Sequence, residues 1–159
     1  MKIKQLKIFE IHNYYFLTCS LYILLYIFIT PPFYVPDEYS HFQKSASKES
    51  FYLRGPLSVD NGIKKFSDHF EELAFNKWKK NREFKYSSNL INDNKNNYKL
   101  ENSLTSANLA GLSGYPFTGY FVSKIAINIS KIFTNDVIKI FYLGRIANFI
   151  FCIIICWLV

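Results

Sequence analysis

Two carboxylates and an imidazole stand close together in the sequence at Asp37, Glu38 and His41, shortly after the pair Pro31–Pro32. Carboxylates and imidazoles are side chains that move protons in catalysis. Asp37 follows a proline and opens a predicted helix, so His41 falls one turn later on the same face. An Asp at this position can instead cap the helix, its carboxylate accepting backbone N–H groups. Spacing alone leaves both interpretations open, proton chemistry and a helix cap.

The element that positions this cluster is a hydrophobic segment before it, predicted to cross a membrane at residues 13–31. Tyr14 to Ile29 carries no charge, and nine of its residues are Leu, Ile or Phe. Those nine contribute roughly −3 to −5 kcal/mol toward membrane insertion. The prolines that follow cannot continue the helix. A cleaved signal peptide competes with this interpretation, but the apolar run is long and no small-x-small cleavage site follows.

Charge sets the predicted orientation of this helix and the class of partner. Three lysines precede it, which places residues 1–12 in the cytoplasm and the acidic cluster on the outer face of a bacterial inner membrane. The chain has 159 residues and net charge +7, but no nucleic-acid motif accompanies the excess. The basic residues flank hydrophobic runs, so membrane lipids are the expected partner and nucleic acid is not. All three cysteines lie in apolar runs, which argues against a disulfide framework.

The large segment 32–108 is predicted to lie outside the membrane and to contain juxtamembrane helices. One amphipathic helix is indicated by apolar residues at three- and four-residue steps, either resting on the membrane surface or packing on the outer region. These residues are Ile63, Phe66, Phe70, Leu73, Ala74 and Trp78. The Asn-rich stretch from Ser87 to Ser103 is predicted to be a mobile loop.

Two further membrane helices are predicted, a second at 109–133 and the start of a third at 146–159. They are joined by a cytoplasmic loop at 134–145. Lys124 interrupts the second helix at a cost of about 2.5–3.5 kcal/mol. One face of that helix is polar, so it either faces protein or a wet cavity, or belongs to a marginal helix whose lysines snorkel to the surface. This face carries Tyr120, Lys124, Asn128, Lys131 and Asn135.

The third helix is too short to cross, and Arg145 would stand at its cytoplasmic entrance. The predicted fold class is therefore an all-α membrane protein, an incomplete helical bundle with a large outer loop. We expect the chain to be the N-terminal part of a longer protein.

The stretch PPFYVPDEYSHF resembles the signature after the first helix of the bacterial multi-pass family called domain of unknown function 2142. Gly114-Tyr115-Pro116 followed by Tyr120 is similar to the stretch that leads those proteins into their second helix. Gly144-Arg145-Ile146-Ala147-Asn148 is similar to the entry of their third. The family in turn resembles class C glycosyltransferases, which use polyprenyl-phosphate-linked sugars at the outer membrane face.

The resemblance implies a sugar transferase with an acidic catalytic residue just after the first helix. By position this is Asp37, with Glu38 as its substitute and His41 beside them; Tyr115, Tyr120 and Lys124 are the implied substrate-binding residues. The carboxylate would take the acceptor proton. His41, the N-terminus of the second helix, or a divalent metal held partly by Asp37 or Glu38 would offset the charge of the departing phosphate.

The alternative function is a non-enzymatic component of surface-polysaccharide export or assembly. No Walker or Rossmann glycine motif is present, so nucleotide-binding enzymes of those types are not indicated.

Overall fold

The structure is a computed structural model that describes residues 2–35, 37–49, 57–72, 98–107 and 117–158. Predictions for Leu73, Ala74, Trp78, Tyr115 and the stretch 87–97 fall outside these residues. In chain order the elements are α1 (Lys2–Ile29), α2 (Glu38–Ala46), β1 (Leu57–Asp60), α3 (Asn61–Glu71), β2 (Leu104–Ala107), a 3-10 turn (Phe117–Tyr120), α4 (Phe121–Phe133) and α5 (Val137–Leu158).

The fold is mostly helical, as predicted, but it also contains a small antiparallel sheet that the all-α prediction omits. β1 pairs with β2, with Leu57 opposite Ala107 and Asp60 opposite Leu104. Each strand has only four residues. A strand this short offers too few positions for an alternating apolar pattern to stand out in the sequence.

Helices α1 and α5 are the two candidate membrane spans of the described chain. The windows His12–Ile29 and Val137–Leu158 have mean hydropathies of 1.3 and 2.0. Apolar side chains of α1 such as Leu17 and Leu21 are largely exposed, and Ile29 is 74% exposed. A helix that is apolar on all sides and not covered by protein requires an apolar surrounding. Helix α1 covers most of the predicted first span and ends directly before Thr30 and the two prolines.

Helix α5 begins at Val137, whereas the sequence interpretation started the third helix at Ile146. The Asp136 carboxylate accepts the backbone N–H groups of Ile138 and Lys139 at 3.0 and 3.3 Å. This is an N-cap, which satisfies donors that the first turn of a helix leaves unpaired. Most of the predicted cytoplasmic loop 134–145 is therefore helical.

The described part of the predicted second span is shorter than a membrane requires. Helix α4 has 13 residues, a length of about 20 Å, against a hydrocarbon core of about 30 Å. Of the rest of the predicted span 109–133, the structure describes only the 3-10 turn that precedes α4. Lys124 and Lys131, the residues that interrupt the apolar pattern, both contact protein, as detailed below.

An aromatic core joins the elements that follow α1. Phe66 of α3 lies at its centre, with ring centroids 5.3 Å from Phe33, 6.1 Å from Phe42 and 5.7 Å from Phe141. All of these side chains are buried. We call α2, β1, α3, β2, α4 and the first two turns of α5 the mixed domain. The apolar face of α3 thus packs on the other elements of the mixed domain. Of the two alternatives, a helix resting on the membrane surface or one packed on the outer region, the described residues of α3 show the second.

The segment 98–103 is bound to neighbouring backbone, in contrast to the predicted mobile loop. The Val137 N–H donates to the Tyr98 carbonyl at 3.0 Å, and the Leu100 N–H to the Asn135 carbonyl at 2.9 Å. On its other side, the Asp60 carboxylate accepts the N–H groups of Glu101 and Asn102. The prediction of a mobile loop came from the polar side chains of this stretch. The hydrogen bonds that hold residues 98–103 in place are instead made by their backbone.

Gly62 allows this segment to approach α3, and its replacement by Ala will destabilise the mixed domain. A Cβ atom at Gly62 would overlap with the carbonyl oxygen of Lys99, which is backbone and not a flexible side-chain end. Overpacking of this kind costs about 1–3 kcal/mol. Thermal unfolding in detergent, followed by circular dichroism, should show a lower midpoint for Gly62→Ala. Gly119→Ala is the matched control, because no atom of the described residues lies within 4 Å of a Cβ there. Equal midpoints for the two variants would contradict the predicted clash.

Candidate functional site

The turn between α1 and α2 carries the acidic pair in a strained backbone. Phe33 and Asp37 have φ angles of 59° and 66°, the left-handed region that non-glycine residues rarely occupy. Such residues cost on the order of 1–3 kcal/mol each. Burial of the Phe33 ring in the aromatic core offsets part of that cost. Asp37 is exposed, and among the described residues its carboxylate makes no capping bond to α2.

Glu38 has a different environment, because its carboxylate is bound by Arg145 of α5. The Nε and one terminal nitrogen of Arg145 each donate to a Glu38 oxygen at 2.7 Å. The backbone N–H of Phe33 also donates to Glu38, at 2.9 Å. Side-chain exposure is 12% for Arg145 and 19% for Glu38. A bidentate pair of this kind is geometrically specific and strong.

The remaining N–H groups of Arg145 bind the end of α1. They donate to the carbonyls of Ile27, Thr30 and Pro31 at 3.0, 2.7 and 3.1 Å. An Arg side chain has five N–H donors, and these contacts use all of them. Carbonyls at a helix C-terminus carry partial negative charge, so the guanidinium stabilises this end of α1.

Arg145 therefore lies at the same level as the end of α1. The sequence analysis had placed Arg145 at the cytoplasmic face and Glu38 at the outer face, and their direct contact shows that this separation was wrong. The rings of Phe28 and Tyr142 stack nearby, with centroids 6.2 Å apart. Ile23 and Phe149 line one cavity. From this level α1 and α5 run side by side in opposite directions.

His41 and Tyr120 form the second polar pair of the site. Their Nδ1 and phenol oxygen share a hydrogen bond of 2.9 Å, and their rings stack with centroids 5.5 Å apart. The ammonium of Lys44 lies 4.6 Å from the centroid of the Tyr120 ring. Lys44 is almost completely buried, and burial lowers the pKa of its amine. Two of the predicted site residues, 79 positions apart, are thus in direct contact.

Lys124 holds α4 to the C-terminal end of α2. It donates to the Ser47 carbonyl at 2.9 Å, and Lys131 donates to the Ala46 carbonyl at 3.4 Å. Burial lowers the pKa of both amines; Glu49 opposes the shift at Lys124, and Asp60 opposes it at Lys131. The polar face of α4 therefore contacts protein at these two lysines, which favours the first of the two alternatives. The predicted substrate-binding role of Lys124 remains a prediction.

A cavity of about 230 Å³ lies where α2, α4 and α5 meet, and its lining is apolar over most of its area. We call it the polar cavity because several polar side chains stand in its walls. Its polar lining includes Glu38, His41, Ser45, Tyr120, Ser123 and Asn148. A second cavity of about 320 Å³ lies between α1 and α5. It is mainly apolar, with Ile23, Tyr26, Ile27 and Phe149 in its walls. Both cavities share Glu38, Arg145 and Asn148, so they meet at the level where the candidate spans enter the mixed domain.

The structure brings three of the predicted site residues together in the wall of one cavity. Glu38, His41 and Tyr120 line the polar cavity, whereas Asp37 and Lys124 are not among its walls. The sequence analysis missed the roles of Arg145 and Asn148. An Arg inside an apolar helix signals a buried partner, and this signal appears once α5 is taken to begin at Val137.

The predicted metal role of Glu38 does not fit its contacts, because both of its oxygens are bound by Arg145. Within the described residues, no group of three or more His, Cys, Asp or Glu side chains could hold a metal ion. Divalent cations require several oxygen ligands.

Two helices of the described chain are long and apolar enough to cross a membrane, and a partly buried ion pair joins the end of the first to the second. This architecture is that expected of a helical membrane protein. The chain belongs to the family described as "Predicted membrane protein (DUF2142)", whose model matches residues 20–159. The resemblance drawn from PPFYVPDEYSHF is thereby confirmed at the level of the family. Comparisons with curated proteins and with solved structures gave no significant match.

Proposed function

We propose that this protein binds a polyprenyl-phosphate-linked sugar at the outer surface of a bacterial inner membrane and takes part in transferring that sugar to an acceptor. One observation carries the proposal: an apolar cavity between the two candidate spans meets a polar cavity in the mixed domain. A lipid-linked sugar has the same division, with an apolar chain joined to a polar head. Ligand cavities of mainly apolar lining with a few placed polar groups are typical of specific sites.

The contacts of Arg145 favour a hairpin arrangement of the candidate spans. Because Glu38 and Arg145 are bonded, the end of α1 and the middle of α5 lie at the same membrane level. In the proposed topology α1 leads outward and α5 returns, with the N-terminus in the cytoplasm. The polar cavity then opens at the outer face, where lipid-linked sugars are presented.

Asp37 is the proposed base for the transfer. Glu38 is committed to Arg145, whereas the exposed Asp37 carboxylate makes no capping bond. In the proposed step the acceptor hydroxyl oxygen forms a bond to the anomeric carbon while its proton passes to Asp37. The bond from that carbon to the phosphate oxygen breaks, and its electron pair leaves with the polyprenyl phosphate.

Release of polyprenyl phosphate from a radiolabelled lipid-linked sugar tests this function. The assay uses membrane vesicles that contain the full-length protein and its native envelope acceptors. We expect Asp37→Asn to lower the release rate by about 100-fold or more, because general-base catalysis contributes at least that factor. Glu72→Gln is the matched control: it also changes a carboxylate to an amide, at an exposed residue after α3 that lines neither cavity. It should leave the rate unchanged.

Two results would contradict parts of the proposal. An unchanged rate in Asp37→Asn would remove Asp37 from the mechanism. Binding of the lipid-linked sugar without turnover by the unaltered protein would favour the non-enzymatic role in polysaccharide export. The position of Asp37 outside the walls of the polar cavity is the observation that favours this second function.

A further inference from the structure

Asn148 is the polar group at the junction of the two cavities. It lies on α5 one turn after Arg145 and lines both of them. The residues around it on this helix are predominantly apolar. A polar side chain inside an apolar helix marks a functional position, because it is costly unless it meets a partner.

The other two residues shared by the cavities, Glu38 and Arg145, are already hydrogen-bonded within the protein. Glu38 and Arg145 satisfy each other, and the remaining Arg145 donors bind the end of α1. Their charges are therefore compensated within the protein. Arg145 has no N–H donor left for a ligand at the junction.

The contacts of Asn148, in contrast, leave capacity for a ligand. Its amide contacts the Ser123 hydroxyl of α4, at 2.7 Å through Nδ2 and 3.0 Å through Oδ1. An Asn amide has two N–H donors and an acceptor oxygen with two lone pairs. One hydroxyl cannot satisfy all of these, and Asn148 is exposed toward the cavities.

The size of the polar cavity limits what this pair can bind. A volume of about 230 Å³ corresponds to about eight water molecules at liquid density. This space is large enough for a single sugar ring. An amide and a hydroxyl are both donors and acceptors, as are sugar hydroxyl groups, so the two sets match without any net charge.

We propose that Ser123 and Asn148 bind the hydroxyl groups of one uncharged sugar ring, which makes the polar cavity a glycosyl site. The inference rests on the proposed function and deepens it. In this arrangement the apolar chain of the ligand occupies the cavity between α1 and α5, and the ring lies against the Ser123–Asn148 pair.

A photoreactive octyl glucoside tests the inference on the full-length chain in lipid nanodiscs, with cross-linked residues mapped by mass spectrometry. Competition with unlabelled octyl glucoside and octanol gives the relative affinities. We expect cross-links to cavity-lining residues that octyl glucoside displaces, and octanol should displace the probe less well because it lacks the sugar ring. Asn148→Leu and Ser123→Ala should each weaken glucoside binding by about 5- to 10-fold, the value of one lost hydrogen bond.

Asn135→Leu, at an exposed Asn outside the cavities, is the matched control and should bind like the unaltered protein. Unchanged glucoside binding in both Asn148→Leu and Ser123→Ala would overturn the inference, while sugar transfer in the vesicle assay would leave the proposed function standing. Competition by octanol as strong as that by octyl glucoside would also overturn it, because the sugar ring would then add nothing to binding. A third result is possible, in which the two variants lose glucoside binding but the unaltered protein shows no sugar transfer. It would support the glycosyl site and contradict only the proposed transferase activity.

Discussion

Replacing Arg145 with Gln will lower the free energy of unfolding by about 3–5 kcal/mol, because it leaves the Glu38 carboxylate buried without its partner. It also removes the donors that bind the carbonyls of Ile27, Thr30 and Pro31 at the end of α1. The measurement is denaturant unfolding of the detergent-solubilised protein, followed by circular dichroism. We expect the loss of one side chain to affect α1, α2 and α5 together.

Three further variants make this test specific. Lys139→Gln removes a positive charge from an exposed position of the same helix and should change stability little. Arg145→Lys should not restore stability, since an ammonium cannot reproduce the bidentate fork. Glu38→Gln combined with Arg145→Gln should be less destabilising than the sum of the two single changes. Additive effects in that double variant would show that the two side chains do not stabilise each other.

Phe66→Ala is expected to cost about 3–5 kcal/mol, the usual loss for a large aromatic side chain in a packed core. The Phe66 ring is completely buried and contacts rings from the turn after α1, from α2 and from α5. Phe133→Ala provides the matched control, because the Phe133 ring is 81% exposed. Denaturant unfolding of both variants measures their stabilities relative to the unaltered protein. Similar stabilities would mean that the aromatic core does not hold the mixed domain together.

The part of the fold that follows from local sequence was predictable. An uncharged apolar run ended by two prolines gave the first candidate span, because insertion energy and proline geometry depend only on neighbouring residues. The apolar spacing of Ile63, Phe66 and Phe70 gave α3 for the same reason. The boundaries of α4 and α5 were harder to predict from the sequence. Asp136 starts α5 within a stretch whose charges suggested a loop.

The site depended on contacts that no local pattern contains. Glu38 and Arg145 are 107 residues apart, and His41 and Tyr120 are 79 apart. The motif around Asp37 directed attention to the right turn, but it could not show that Glu38 is neutralised by a residue of another helix. Lys124 illustrates the opposite difficulty. Its cost in an apolar helix is offset by the backbone carbonyls of Ser47 and Lys48, directly after α2, which only the fold supplies.

Helix α5 is continuous from the aromatic core to the candidate span, and this ties the polar cavity mechanically to the lipid around it. Phe141 and Gly144 form part of the cavity wall, while Ile150 and Ile154 further along the same helix are about half exposed. Membrane helices adjust to bilayers of different thickness by tilting. A tilt of α5 would rotate Phe141 and Gly144 relative to His41, so the width of the cavity would respond to the thickness of the bilayer.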